Sequence, residues 1–294
     1  MDADRERLTG LIARFISFSS KYLPDDVTAK LEELRRAESS PRARAIYDAV
    51  FRNLELAAEL DRPLCQDTGL IQFFVKAGTS FPLLDQLEGI LREAVIRATV
   101  HAPLRPNAVA FFDEKNSGDN TGRFTPWIDW EPVPGEGLKL YVYLAGGGCS
   151  LPGFSRVLTP LEGWNAALEA VFERVSTLAV NACPPLLIGI GLGSSADTAA
   201  KLSKKALLRF IGERNPRLPE LEKEIEEGLN RIGIGPSGLT GNASVMAVHI
   251  EEAVRHPATF ALGLSVGCWA HRRALIEISA GLDYRLLSHK GKTL

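Results

Sequence analysis

Apolar residues recur at helical spacing at the start of the chain and pass into compact or alternating runs further on. Leu8, Leu11, Ile12, Phe15 and Ile16, then Ile46, Val50, Leu54 and Ala57, return every three or four positions, so the first 60 residues are expected to be helical. Asp25, just after Pro24, is the expected N-cap of a helix running to Arg36. Residues 70–75 (Leu-Ile-Gln-Phe-Phe-Val) predict a strand, residues 83–101 a helix, and residues 108–112 and 138–145 two further strands. An amphipathic helix over 164–180 precedes a fully apolar strand at 185–192, and a basic helix carries Lys201, Lys204, Lys205 and Arg209. A polar connection at 214–221 leads to a charged helix at 222–231, and strands are expected at 245–250, 259–266 and 274–279. The expected fold is α/β of mixed α+β type: a helical segment over 1–62, then a mixed sheet flanked by helices, one domain spanning 1–294 around one core.

Composition narrows the function classes. The chain has 294 residues, a formal charge of -2 and a hydrophobic fraction of 45%. A pI near 6.3 and the lack of a long Lys/Arg run exclude a nucleic-acid surface. No apolar stretch reaches the roughly 20 residues that span a bilayer, and Met1-Asp-Ala-Asp-Arg-Glu-Arg has no signal-peptide core. A cytoplasmic protein with reduced thiols is expected, its four cysteines serving as packed filler or metal ligands.

The cysteines hold the most chemical information. Cys183 and Cys268 stand where strand-like runs meet polar sequence, and Cys65 opens a turn before one. No pair has CxxC spacing, so any shared ligand must be assembled by folding. Cys65-Gln-Asp67-Thr-Gly69 sets a sulfur ligand beside an amide, a carboxyl and a hydroxyl, although a capped turn around a packed thiol explains it equally well. Gly146-Gly-Gly148 can form a backbone nest for an anion, or an ordinary turn. Three thiolates converging on one point would suit an iron–sulfur cluster with one iron open to substrate; Cys149 is then a fourth ligand or a packed residue, and the packed reading is favoured because an all-cysteine cluster leaves no iron open. Gly189-Ile-Gly191-Leu-Gly193 follows a strand, but position 194 is Ser, so it is no dinucleotide fingerprint. Four glycines between 233 and 241 mark a loop that can wrap oxyanions or lie against a cofactor. His256 and His271 flank Cys268 and are candidates for acid/base or orienting work. Zinc remains open with Cys and His present, though no zinc spacing does.

Taken in order, the runs 24–27, 62–69, 102–108, 145–153, 176–185, 228–236, 241–251 and 267–273 resemble the N-terminal, cluster-bearing part of class I (iron–sulfur) fumarate hydratases. The likeness covers essentially the whole chain and is greatest with the family's two-subunit, tartrate-dehydrating members. It implies a [4Fe–4S] cluster held by Cys65, Cys183 and Cys268 with one iron lacking a cysteine ligand. It implies substrate contacts from Gln66, Arg105 and the backbone near Gly148, with Asp67 and His256 as catalytic groups. It further implies dehydration of a small hydroxy-dicarboxylate, L(+)-tartrate to oxaloacetate, by a hydro-lyase whose separate beta subunit completes the site in an alpha2beta2 assembly. The alternatives are a malate/fumarate enzyme of the same chemistry and a cluster-based redox sensor.

Overall fold

The computed structural model describes residues 2–294. Three helices open it, α1 (Asp2–Lys21), α2 (Asp25–Ala37) and α3 (Pro41–Glu59), where the helical spacing predicts them. Asp25 is not a cap but the first residue of α2; its carboxylate accepts the Lys290 N–H at 2.7 Å instead. Among the described residues no helix is long and apolar enough to cross a membrane.

The chain forms two compact units of interleaved segments. The first comprises the chain up to Asp25, Arg52–Gly146 and Arg272–Leu294; the second comprises Asp26–Phe51 and Gly147–His271. Each has its own apolar cluster, where the sequence leads one to expect a single core. A hydrophobic pattern shows that a side chain is inside but not which of two interiors receives it.

The first unit holds five strands, numbered in chain order: β1 (Leu70–Gly78), β2 (Trp127–Val133), β3 (Leu138–Ala145), β8 (Arg273–Ile278) and β9 (Tyr284–Leu286). Their order is β2-β1-β3-β8-β9, with only β1 and β2 parallel. Ile71, Phe73, Val75 and Ala77 of β1, with Leu138, Leu140, Val142 and Leu144 of β3, alternate onto one face. There they meet Leu8, Ile12, Phe15 and Ile16 of α1 and Leu87, Ile90 and Leu91 of α4 (Leu87–His101). Period 2 against period 3.6 makes this face, and each fully buried side chain contributes about 1.5–3 kcal/mol.

The second unit holds β4 (Phe154–Leu158), β5 (Leu186–Gly193), β6 (Val245–Glu252) and β7 (Phe260–Gly267) in the order β4-β7-β5-β6. Only β5 and β6 are parallel. A one-turn helix, α5 (Gly147–Ser150), precedes β4. Helices α6 (Gly163–Leu178) and α8 (Pro219–Asn230) pack on one face through Val171, Val175, Ile225 and Leu229. Helix α7 (Ala196–Ala206) lies on the other, and here the glycine-rich strand finds its purpose. A Cβ at Gly191 would stand 2.0 Å from the Ala199 carbonyl oxygen, and one at Gly189 2.2 Å from that of Ser203. The glycines let helix backbone rest directly on strand backbone, which is packing and not phosphate binding.

Residues 108–112 are not a strand. Val109 makes one isolated bridge to Asn116, and Phe111 and Phe112 are exposed. The run had strand composition but no partner strand along its length. Conversely β2 was missed because Trp127-Ile-Asp-Trp-Glu-Pro lacks strict alternation and carries Pro132, which an edge strand tolerates.

Candidate active site

In the first unit, Cys65 to Gly69 forms a turn leading into β1. Gly69 has φ +81°, and a Cβ there would stand 2.8–2.9 Å from Leu144 and Ala145 backbone, so no other residue fits. The approach to the turn is anchored on both sides. The Leu64 N–H donates to the Ser20 carbonyl at 2.9 Å, and Asn53 Nδ2 donates to the Leu64 carbonyl at 2.9 Å. Thr68 Oγ1 accepts the Arg105 N–H at 3.0 Å. Asp67 Oδ1 accepts the Gly69 N–H at 3.0 Å and Asn107 Nδ2 at 3.4 Å, which orients its carboxyl. Buried Asn120 accepts the Asn107 N–H at 2.7 Å and donates to the Arg105 carbonyl at 3.1 Å.

This network brings Cys65, Gln66, Asp67 and Arg105 to one end of the five-stranded sheet. Cys65 and Asp67 are half-buried, while the Gln66 and Arg105 side chains are exposed on a rigid backbone. Thr68, Asn107 and Asn120 went unassigned from sequence. Asn107 stood in the run Arg105-Pro-Asn107, but nothing local indicated that it reaches back to residue 67.

In the second unit, Cys183 ends the 3-10 turn Ala179–Ala182 with φ 54°, left-handed for a residue that has a side chain. Such a conformation costs on the order of 1–3 kcal/mol and persists only where the surroundings enforce it. They do so here. The Cys183 carbonyl accepts the Trp269 N–H at 3.2 Å, joining the Cys183 and Cys268 turns at one end of β5 and β7. Cys183 is exposed and Cys268 half-buried, and no cysteine is joined in a disulfide among the described residues. Gly148 belongs to the same end: a Cβ there would be 2.5 Å from the Asn181 carbonyl. Cys149 is buried. His271 Nε2 meets the Leu207 carbonyl at 2.8 Å, which requires Nε2 to carry the proton and ties the Cys268 turn to the end of α7.

The glycine-rich loop 233–244 wraps an oxyanion that the chain itself supplies. Glu38 is buried; its Oε2 accepts the Asn242 N–H at 2.9 Å, and Asn242 Nδ2 donates to the Ala37 carbonyl at 3.0 Å. From that anchorage the loop reaches the cysteine turn, where the Ser237 N–H donates to the Pro184 carbonyl at 2.9 Å. A Cβ at Gly238 would press on Val180 at 3.1 Å.

His256 lies apart from these groups. It occupies the exposed loop joining β6 to β7, at the other end of the sheet from Cys183 and Cys268. The eight residues of β7 separate them, about 25 Å at roughly 3.3 Å per residue. Its Nδ1 accepts the Ala258 N–H at 3.1 Å.

Among the described residues no group of three or more His, Cys, Asp or Glu side chains is gathered as a single metal ion requires. The donor set suits an iron–sulfur group in its chemistry: soft thiols on three separate turns, two of them hydrogen-bonded together.

The model of the family described as fumarate hydratase (fumerase) matches residues 9–277. The chain belongs to the fumarate hydratase family. Its members of this class I, iron–sulfur type are hydro-lyases, and the mixed fold with two sheets is that of the class I fumarase N-terminal domain. The chain is 54% identical over 291 residues to the L(+)-tartrate dehydratase subunit alpha of Escherichia coli (strain K12), covering 98% of this chain and 96% of that one. It is 54% identical over the same span to the subunit of that name from Shigella sonnei. A putative L(+)-tartrate dehydratase subunit alpha of Methanocaldococcus jannaschii is 35% identical over 286 residues, 95% of this chain and 100% of that one.

Proposed function

We propose that the chain is the alpha, cluster-bearing subunit of a dehydratase that converts L(+)-tartrate to oxaloacetate together with a separate beta subunit. The observation that carries this reading is 54% identity along nearly the whole chain to subunits of that name. Cys65, Cys183 and Cys268 would hold a [4Fe–4S] cluster, whose iron without a cysteine ligand would supply Lewis-acid assistance to loss of a hydroxyl.

The chain's own residues do the rest. Arg105, exposed on a clamped backbone, suits two-point binding of one substrate carboxylate. Backbone near Gly148 would take the other, and the Gln66 amide would bond a hydroxyl or carboxylate oxygen. Asp67, oriented by Asn107 and Gly69, delivers a proton to the departing hydroxyl, which leaves as water. A base removes the proton from the adjacent carbon, and the enol so formed rearranges to the ketone of oxaloacetate. That base is assigned to the beta subunit. His256 enters the reading only from a second copy of the chain in an alpha2beta2 assembly, since it stands about 25 Å from its own Cys183 and Cys268.

The family model's own description favours malate and fumarate as the second reading, with the same residue roles. The test is an anaerobic alpha–beta complex assayed with tartrate and malate side by side, with iron, sulfide and zinc measured. Asp67→Asn should keep iron and sulfide while the rate falls about 100- to 10,000-fold. Loss of the cluster in that variant would make Asp67 structural, and turnover of malate alone would move the substrate. An intact cluster without turnover of any dicarboxylate would favour a redox sensor.

A further inference from the structure

The first unit carries an aromatic patch that neither its core nor its candidate site uses. Phe111 and Phe112 sit at the tip of the excursion between α4 and β2, 91% and 96% exposed, their rings meeting edge to face at 5.4 Å. Phe124, 72% exposed, joins them, with the Arg123 guanidinium 5.2 Å above its ring. These residues and Val109 line a cleft of about 770 Å3. The excursion is not loose chain. The Ala110 N–H donates to the Lys115 carbonyl at 2.8 Å and the Ser117 N–H to the Ala108 carbonyl at 2.9 Å, so the rings are presented on a braced hairpin-like turn. Two adjacent phenylalanines held almost wholly in water are costly unless another surface covers them.

We propose that this cleft is the docking surface for the beta subunit. The proposal rests on the reading of the chain as an alpha subunit. What selects the occupant is where the cleft leads. Its lining begins at Leu70 and Ala108, the residues that directly follow Gly69 and Asn107, and those two hold Asp67 Oδ1. A subunit that completes the chemistry around Asp67 must reach that end of the sheet, and a partner seated on the phenylalanines is already there. The contact chemistry is an apolar or aromatic core with an acidic rim facing Arg123 and Lys115. A second copy of this chain is the weaker candidate, because the loop it would bring towards a site, residues 253–259, carries Arg255 and His256 and has Val254 as its one large apolar side chain, too little apolar surface to cover three exposed phenyl rings.

The test uses the full chain and its co-expressed beta chain. Phe111→Ser with Phe112→Ser should weaken association at least about tenfold, as expected of aromatic anchors, while circular dichroism and the thermal midpoint of the alpha chain stay unchanged. Independently of any variant, adding the beta chain to the wild-type protein should slow amide exchange over residues 108–125. Association within twofold of wild type, or exchange there unchanged by the beta chain, overturns the proposal. So does loss of alpha self-association in sedimentation with beta binding retained, which would make the patch an alpha–alpha contact. A wild-type chain that binds no beta chain at all removes the two-subunit reading itself, and this proposal with it. Should the double variant misfold, Phe124→Ser and the exchange measurement decide.

Discussion

Acid should loosen the support of the Cys65 turn through a histidine remote from the chemistry. His289 is fully buried, with Nδ1 2.9 Å from Ser288 Oγ, Nε2 3.4 Å from the Tyr22 carbonyl and the Phe18 ring edge-on at 4.8 Å. Burial pushes its pKa down to about 4 from the ordinary 6.5, against the pull of the Tyr22 hydrogen bond and Asp25. The folded chain keeps this ring neutral where the unfolded chain protonates it. Its contribution to stability is therefore full above pH 6.5 and declines as pH falls towards 4. The depression corresponds to about 2 kcal/mol lost by pH 5 and about 3 kcal/mol by pH 4. Tyr22 ends the same helical turn whose Ser20 carbonyl holds Leu64, next to Cys65. His289→Gln cannot titrate there and carries a cost independent of pH. Urea unfolding of the full chain at pH 7, 5 and 4, followed by circular dichroism, should show the wild-type advantage over this variant shrinking by about those amounts. Parallel stability curves for the two proteins across that range would refute the reasoning.

Other expectations follow from the packing and the site. Gly191→Ala forces a Cβ onto the Ala199 carbonyl, a backbone neighbour that cannot swing away; stability should fall by about 3 kcal/mol or more, against 1–3 for ordinary overpacking, and a urea midpoint near wild type would dismiss the close-packing account. Glu38→Ala leaves the Asn242 N–H without its acceptor, at a cost of about 1–3 kcal/mol, and frees the loop that braces the Cys183 turn. Alkylation of Cys183 in the cluster-free chain should quicken relative to Cys65, with Glu38→Gln partly restoring wild-type behaviour; equal acceleration at both cysteines would count against a specific brace. Asn107→Ala removes a side-chain donor to Asp67 Oδ1. Turnover in the alpha–beta complex should drop about tenfold to a hundredfold with KM and iron content little changed, in keeping with the sensitivity of rate to orientation; a pure KM effect would relocate Asn107 to substrate binding.

The parts of the fold that were legible in the sequence are those with a strong period. α1, α3, α4, α6, β1, β3 and β5 to β8 all stand on runs whose apolar spacing survives burial on one or both faces. Failures cluster where period and environment part company. Residues 108–112 have strand composition without a partner strand, and β2 has a partner without the alternation. The same division runs through the candidate site. Gly69 was legible as a residue needing unusual backbone, because glycine beside a polar turn is a local signal. The glycines at 189, 191 and 193 were legible only as a puzzle, since their reason is a helix that arrives from later in the chain.

By itself the sequence determined which side chains are candidates for chemistry: a thiol, an amide and a carboxyl in succession at 65–67 and two further thiols in distant turns, with the thiol at 149 set apart from them. These are properties of residue type and of near neighbours. Tertiary structure alone decided what each is held by. It set Asn107 on Asp67, joined the Cys183 and Cys268 turns through one N–H, and spent the glycine-rich loop on the chain's own Glu38. It also put His256 at the far end of its sheet from those two cysteines. The physical reason is that strand direction and loop closure, not sequence separation, fix distance: twelve residues from His256 to Cys268 include a whole strand run end to end, whereas Cys183 and Trp269 meet across antiparallel neighbours.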